Sequence, residues 1–436
     1  MPTNPRKFAH KILLKWFTSD FYLEHLINFN DTEISAQDRR FVEALIHQVI
    51  MHQRMLDFVL KKFISKKPKN PVYIAMLMGT CEILYMQVKD HAALHVTVEL
   101  VGKIDHRSKG FVNAVLRKIL SFRDKEWEGM QKDPRISPGI RFGFPDWLIA
   151  RWIKQFGSET LELMAALNER PRKMARIVKT KKREQILEIL KELGVLEGLS
   201  AYHPDFVFIR SWQPLLQHEL FTDGFIIAQD VSAIFPVLFI ANDDPASVAD
   251  VCCAPGGKLT ALKQYCPANT KIRGYDLNVH RLEDTQKTLD RLGIKGVSLK
   301  ARDVAKEEIP KFSHILIDAP CSGFGVIRKR TDLRWRRKEE EMPGLLKVQH
   351  DILENMSKYL KPGGLIVYST CTFDREENRN TIKQFLNRHP EFIIQAPDPN
   401  IFPQDLITDY GAIESLPHQH SCEGSFAIAL KNELSS

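Results

Sequence analysis

The sequence predicts an α/β fold built in three parts: an all-helical domain, a small mixed α/β linker region, and a mostly parallel sheet wrapped by helices. Three observations predict it. Apolar residues recur at helical spacing from residue 1 to about 125, with no Gly-rich hairpin signal between them. A dense set of breakers, Gly129, Pro134, Pro138, Gly139, Gly143 and Pro145, then interrupts the pattern. From about residue 245, short β-prone runs alternate with helical stretches, the pattern of a parallel sheet with helical crossovers.

Along the chain, Ser35 is placed to cap a helix carrying Phe41, Ala44, Leu45, Val49, Met55 and Leu56. Lys66-Lys-Pro-Lys-Asn-Pro71 ends that run, and a second helix is predicted from Val72, with Cys81 in its apolar stretch. Gly110-Phe-Val-Asn-Ala-Val-Leu-Arg117 is helical again, and a helix with Trp147, Leu148, Trp152, Ile153 and Phe156 starts at Asp146. Strands are predicted over 246–252, 271–276, 296–299, 314–318 and 365–369, with helices over 277–292 and 345–360 between them. These readings place the domains at 1–135, 136–240 and 241–436.

A chain of 436 residues with 44% hydrophobic content can bury more than one core. No apolar run approaches the ~20 residues of a membrane span, and Met1-Pro-Thr-Asn-Pro-Arg-Lys7 lacks a signal peptide's apolar stretch. Seven scattered cysteines do not form a disulfide framework. The expectation is a cytoplasmic monomer with reduced thiols and no membrane contact. His418-Gln-His-Ser-Cys422 has metal-ligand residue types but no matched fourth ligand, so no metal is expected. The net charge of +8 lies wholly in residues 1–145, with 23 Lys/Arg against 15 Asp/Glu, which favours an anionic partner.

Asp250-Val-Cys-Cys-Ala-Pro-Gly-Gly-Lys258 joins a predicted strand to a helix. Glycines there let backbone approach a ligand, and a helix start favours polar or anionic groups. Leu259 follows Lys258, so this is no Walker phosphate loop, and G-x-G-x-x-G is absent. Asp276 ends the next strand, where a carboxylate can grip ribose hydroxyls, and Asp303 follows the third and can face an adenine edge. A nucleoside cofactor without a phosphate cradle fits S-adenosylmethionine. Cys321 and Cys371 each follow a predicted strand, at the sheet edge where ligands bind, and two thiols there suggest a nucleophile and a helper.

Cys252-Cys-Ala-Pro-Gly-Gly-Lys258, Asp318-Ala-Pro-Cys-Ser-Gly323 and Ser369-Thr-Cys371 stand in the order and spacing of the Nop/Sun (RsmB-type) family of RNA 5-methylcytosine methyltransferases, which this chain resembles throughout. Gln349, Lys361-Pro-Gly-Gly364, Glu376-Glu-Asn378 and the stretch from Asp276 to Arg281 match too. Asp38-Arg39 and Asn113-Ala-Val-Leu-Arg117 resemble a NusB-like RNA-binding domain. The resemblance implies a Rossmann-like catalytic sheet that binds S-adenosylmethionine through Cys252, Cys253, Ala254, Pro255, Gly256, Gly257, Lys258, Asp276, Arg281, Asp303 and Asp318. It implies Cys371 as nucleophile, Cys321 as the group assisting adduct breakdown, and Asp318 at the methyl-transfer centre. The implied substrate is a cytosine of small-subunit (16S) ribosomal RNA. Transfer RNA methylation, or a non-catalytic RNA-binding assembly role, are the alternatives. The chain departs from the family at Cys253, usually alanine, at His47-Gln-Val-Ile-Met51, where a Tyr-Gly-containing turn is common, at Val178, usually asparagine, and at Ser425 in the C-terminal Gly-Phe-Phe position.

Two basic runs are candidates for RNA. Residues 170–183 hold eight Lys/Arg and no acid, including Arg170, Arg172, Lys173 and Arg176. Residues 328–338 hold seven with one Asp, including Arg328, Arg330, Arg334 and Arg336, and Trp335 among them is expected to stack on a base. The second run closely follows Cys321 and is expected to rim the catalytic cleft.

Overall fold

The computed structural model describes residues 4–28, 34–86 and 88–433. They form two compact units, Met1–Glu169 with Ile327–Glu339, and Arg170–Val326 with Glu340–Ser436.

The first unit is helical. Its long helices are Pro5–Thr18, Ala36–Phe63, Asn70–Tyr85, Asp90–Ile104 and Lys109–Lys125. Ser35 caps the second of these, its hydroxyl accepting from the Asp38 amide at 3.1 Å. Asn70–Tyr85 is apolar on every side and forms the centre of the bundle, with Cys81 fully buried. Glu82 on that helix is also fully buried, and Arg6 donates to it at 2.8 Å.

The breakers at 129–145 do not end this unit. They shape the short helices Trp127–Lys132 and Pro138–Phe142. Pro138 opens the latter, and Gly143 closes it at φ 70°. A Cβ on Gly143 would lie 1.9 Å from the Met51 carbonyl oxygen, so only glycine fits that close approach. The helical unit therefore runs past residue 135, through Asp146–Phe156 and Thr160–Ala166, to Glu169.

It is completed by a segment from far downstream. The Trp335 indole donates to the Ile50 carbonyl at 2.8 Å and packs on the helical core. Asp332 accepts from the Leu23 amide at 2.6 Å, Thr331 bonds His47 at 2.7 Å, and Arg336 donates to the Trp16 carbonyl at 2.7 Å. Arg330 pairs with Glu24. Arg334 is fully buried over the Phe144 ring and donates to Asn168 at 2.8 Å. These contacts correct the expectation that Arg334 and Trp335 serve as surface RNA contacts. A guanidinium with no exposed surface cannot reach a phosphate, and the indole N–H is already bonded to backbone.

The second unit holds two sheets. The small one consists of β1 (Lys173–Ile177), β2 (Leu196–Leu199), β3 (Phe206–Ile209) and β4 (Ile226–Ala228), all antiparallel, in the order β2-β3-β1-β4. The large one contains β5 (Ser247–Val251), β6 (Lys271–Asp276), β7 (Val297–Ala301), β8 (Phe312–Asp318), β9 (Leu360–Thr370), β10 (Phe392–Gln395), β11 (Ile413–Ser415) and β12 (Ser425–Asn432). Its order is β10-β12-β9-β8-β5-β6-β7, with β11 beside β12. Strands β5 to β9 run parallel, and β12 is antiparallel to β9. The order reverses at β5, whose neighbours are β6 on one side and β8 on the other. Ligands of such sheets bind beyond the strand ends at that reversal. No helix among the described residues is long and apolar enough to cross a membrane.

Candidate active site

Strand β5 delivers Asp250, which is fully buried, and neither carboxylate oxygen has a partner. Burial, reinforced by Asp318 and Asp276 against the opposing pull of Lys258, pushes its pKa up to about 8. The loop after β5 turns sharply. Cys252 stands at φ 75°, and the amides of Cys252 and Cys253 both donate to the Tyr275 carbonyl at 2.8 Å. Gly256, at φ 95°, leads into the helix Gly257–Tyr265, and a Cβ there would meet Thr285 at 2.8 Å. The larger Cys253 side chain is accommodated because β6 carries Gly274 opposite, where a Cβ would lie 2.8 Å from its sulfur. Burial and the nearby carboxylates raise both the Cys252 and Cys253 thiols, so neither is poised as a thiolate.

Asp276 closes β6 and grips the loop, accepting from the Ala254 amide at 3.1 Å and the Asn278 amide at 2.9 Å. Arg281 stands 3.7 Å from Asp276 and donates to the Ala254 carbonyl. Asp303, two residues past β7, remains half-exposed, with its oxygens on the Ala305 amide and on Lys306 at 3.0 Å.

Asp318 ends β8 and pairs in register with Ser369 on β9, whose hydroxyl donates to it at 3.1 Å. Lys258 donates to its other oxygen at 2.7 Å. Burial acts to lower the Lys258 ammonium, but Asp318, with Cys371 and Asp250, holds it above its ordinary value. Cys321 and Cys371 extend the same two strands, and their sulfurs lie 3.2 Å apart as free thiols. The hydrogen bond with Cys321, aided by Lys258, lowers Cys371 against burial and Asp318. Cys321 is raised, first by that same bond, then by burial and the surrounding acids.

Sequence reasoning named Gln349 and Glu377 only as pattern matches, yet both support the thiols. Glu377 is fully buried, with one oxygen accepting from the Ser322 amide and from Gln349 Nε2, each at 2.8 Å. Gln349 also donates to the Pro320 carbonyl at 3.0 Å. Two glycines close the other side. The Gly325 amide donates to the Cys371 carbonyl at 3.0 Å, and the Gly424 amide to Gly325 at 3.0 Å. A Cβ on Gly325 would lie 1.9 Å from the Gly424 oxygen, so this crossing tolerates no side chain. The Pro320 to Gly323 turn and the Glu376-Glu-Asn378 triplet are the local signals for this support.

The first basic run divides. Arg170 is exposed, Arg172 lies over Phe208 and reaches Glu197 at 3.4 Å, and Lys173 is half-buried. Arg176 has no exposed surface, which removes it from the RNA-contact set. In the second run, Arg328 is half-buried, Arg330 pairs with Glu24, and Arg336 lies over Trp16 at 4.3 Å. The run is thus an integral part of the helical unit. Among the described residues, no cluster of His, Cys, Asp or Glu is arranged to hold a metal.

The family model described as 16S rRNA methyltransferase RsmB/F matches residues 237–431. A NusB family model matches residues 3–121, and an RsmF/B-like ferredoxin-like domain model matches 144–215. Ribosomal RNA small subunit methyltransferase B of Escherichia coli O127:H6 is 31% identical over 82% of this chain and 83% of its own length. The chain belongs to the RsmB/F (Nop/Sun) methyltransferase family. A probable member from Bacillus subtilis is 28% identical over 99% of both chains. The crystal structure of PH0851 aligns over 99% of each chain with a TM-score of 0.76 and 25% identity. That of NSun6 from Pyrococcus horikoshii with SFG covers 67% of this chain and 99% of its own, with TM-score 0.57 and 19% identity. The fold is therefore a helical NusB domain, a ferredoxin-like linker and a Rossmann-like methyltransferase sheet.

Proposed function

We propose that the chain transfers a methyl group from S-adenosylmethionine to carbon 5 of a cytosine in small-subunit ribosomal RNA, through a covalent bond to Cys371. One observation carries this reading. Two reduced thiols meet at 3.2 Å on adjacent parallel strands, beside the Lys258–Asp318 pair. An enzyme attacking an electron-poor ring carbon and then releasing it needs a thiolate and a second proton-handling group side by side.

The residues present fit the cofactor. The glycine turn at Gly256 and Gly257 packs so close to Thr285 and Gln229 that no Cβ fits, Asp276 closes β6 beside it with a carboxylate suited to ribose hydroxyls, and Asp250 offers two unmatched oxygens beneath the loop. Family members are methyltransferases, and a structural neighbour was solved with SFG, an S-adenosylmethionine analogue. S-adenosylmethionine supplies an electrophilic methyl group on a positively charged sulfur.

The protein's part starts with the Cys371 thiolate adding to carbon 6 of the cytosine, which makes carbon 5 electron-rich and able to accept that methyl. Asp318, tied to Lys258 and Ser369, lies where it can hold the target base during this step. Solvent then takes the proton from carbon 5, the carbon 6–sulfur bond breaks, and Cys371 leaves as thiolate, with the Cys321 thiol assisting that breakdown. The base must leave any helical stack to reach the sulfur. Arg170 and Arg172 just before β1, with Lys173 at its start, supply phosphate contacts. Reduced thiols and a ribosomal RNA substrate fit a cytoplasmic protein.

Incubation with labelled S-adenosylmethionine and RNA, followed by bisulfite sequencing, tests the reading. Methyl transfer to a 16S cytosine is expected. Transfer to transfer RNA alone would shift the substrate. Cofactor binding with no transfer to any RNA would leave an assembly factor.

A further inference from the structure

Arg176 stands in a basic run whose neighbours reach solvent, yet its own side chain is fully enclosed. The two-residue alternation of β1 explains why. Ala175 and Ile177 pack with Ile186, Leu187 and Leu190 of the helix Arg183–Glu192. Met174, on the opposite face, joins the core that holds Leu259 and Leu262 of the helix Gly257–Tyr265. Arg176 shares the Met174 face, so its guanidinium enters that core.

There it finds acceptors for each nitrogen. Nε donates to Gln229 at 2.6 Å, Nη1 donates to Gln264, and Nη2 donates to the Thr260 hydroxyl at 2.7 Å and toward the Gly257 carbonyl at 3.5 Å. The Thr260 hydroxyl itself donates to that same carbonyl at 2.9 Å, and Gln264 donates back to the Ile177 carbonyl on β1 at 3.0 Å. Gly257, Thr260 and Gln264 all belong to the helix that the glycine loop opens. Gln229 borders it, since a Cβ on Gly257 would lie 3.1 Å from its amide nitrogen. A buried cation is tolerated only when its donors are matched, and here most matches are made to one helix.

We infer that Arg176 is a positioning residue for the methyl donor, fixing the first turn of the helix Gly257–Tyr265, and with it the Gly256-Gly257-Lys258 loop, to the first strand of the ferredoxin-like sheet. The inference rests on the reading of that loop as the S-adenosylmethionine site. It gives the linker domain a role in cofactor binding that its basic composition hides.

The test compares the full-length wild type with Arg176→Ala, Arg176→Lys and Thr260→Val. Calorimetry measures S-adenosylmethionine affinity, filter binding measures RNA affinity, and amide exchange of the unliganded protein reads the Gly256 to Lys258 backbone. Arg176→Ala should weaken cofactor binding roughly tenfold or more, as loss of charged hydrogen bonds does. The lysine, which keeps the charge and part of the bonding, should recover some of it. RNA affinity should not change, and loop amides should exchange faster. Thr260→Val removes one acceptor while leaving the arginine in place, so it decides the matter if Arg176→Ala fails to fold. Unchanged cofactor affinity and unchanged loop exchange in Thr260→Val and Arg176→Lys would overturn the inference. So would weakened RNA binding with intact cofactor binding, which would return Arg176 to the RNA surface. If the wild type binds no S-adenosylmethionine, the functional reading fails, while loop exchange still decides whether Arg176 positions the turn.

Discussion

Cys321 and Cys371 end neighbouring parallel strands and touch, yet their surroundings pull them in opposite directions. The hydrogen bond between the two sulfurs, aided by the Lys258 ammonium, lowers Cys371 despite burial and Asp318. Cys321 is raised, first by that same bond, then by burial and the Glu377 and Asp318 carboxylates. On the proposed mechanism, this difference is what makes one of two identical side chains the attacker and the other its helper. The same logic separates Cys371 from Cys252 and Cys253, which stand close by among carboxylates and are raised by burial.

The strongest way to break this comparison is to remove one sulfur. Cys371→Ala should abolish methyl transfer, by a factor of about 10⁴ or more, because no other lowered thiol stands at the site. Retained transfer in that variant would reverse the roles.

Removing the charge that distinguishes the two thiols comes next. Lys258→Met should slow transfer on the order of 100-fold and change the pH profile. On the proposed mechanism the reacting form is the Cys371 thiolate, so activity is present above its lowered pKa and lost as pH falls through it. Without Lys258 that pKa rises, so the acidic limb of kcat/KM should move to higher pH. An unmoved limb would mean that Lys258 does not set the thiolate.

The glycine crossing offers a steric test. Gly325→Ala forces a methyl group against the Gly424 carbonyl and displaces the turn bonded to Cys371. A loss of roughly 10- to 100-fold in kcat is expected, with cofactor affinity intact. Equal loss of both would show a general collapse.

The smallest effect concerns stability. Asp250, with a folded pKa of about 8, lies well above its unfolded value, so its contribution is full at low pH and lost as pH rises from about 4 to about 8. Asp250→Asn should flatten that decline in thermal melts of the unliganded protein while weakening cofactor binding. A melting curve with the wild-type pH dependence would remove Asp250 from the account.

How much of this was legible in the sequence depended on how local the signal was. The strand ends that carry Cys321, Cys371 and Asp276, and the turn at Gly256, follow from short apolar runs bounded by breakers, and the structure places them at one sheet edge. The cap at Ser35 is equally local. Burial of particular cations was not legible. Arg176 turns inward because β1 is covered on both faces, and Arg334 because residues 327–339 belong with helices far earlier in the chain. Nothing in a basic run marks which member meets a core. Proline at a helix start and glycine at its end, as at Pro138 and Gly143, build a short helix as readily as a linker, so breakers alone do not say which. Glu377 went unweighted because a carboxylate beside another in sequence gives no sign of being sealed beneath a thiol loop.

The central claim is the division of labour between the thiols, and adduct trapping tests it most directly. Wild type, Cys321→Ala and Cys371→Ala are incubated with S-adenosylmethionine and substrate RNA, then run on a denaturing gel. The account predicts a denaturant-resistant RNA–protein band in Cys321→Ala, which can attack but not release, and none in Cys371→Ala. A band in Cys371→Ala and none in Cys321→Ala would contradict it.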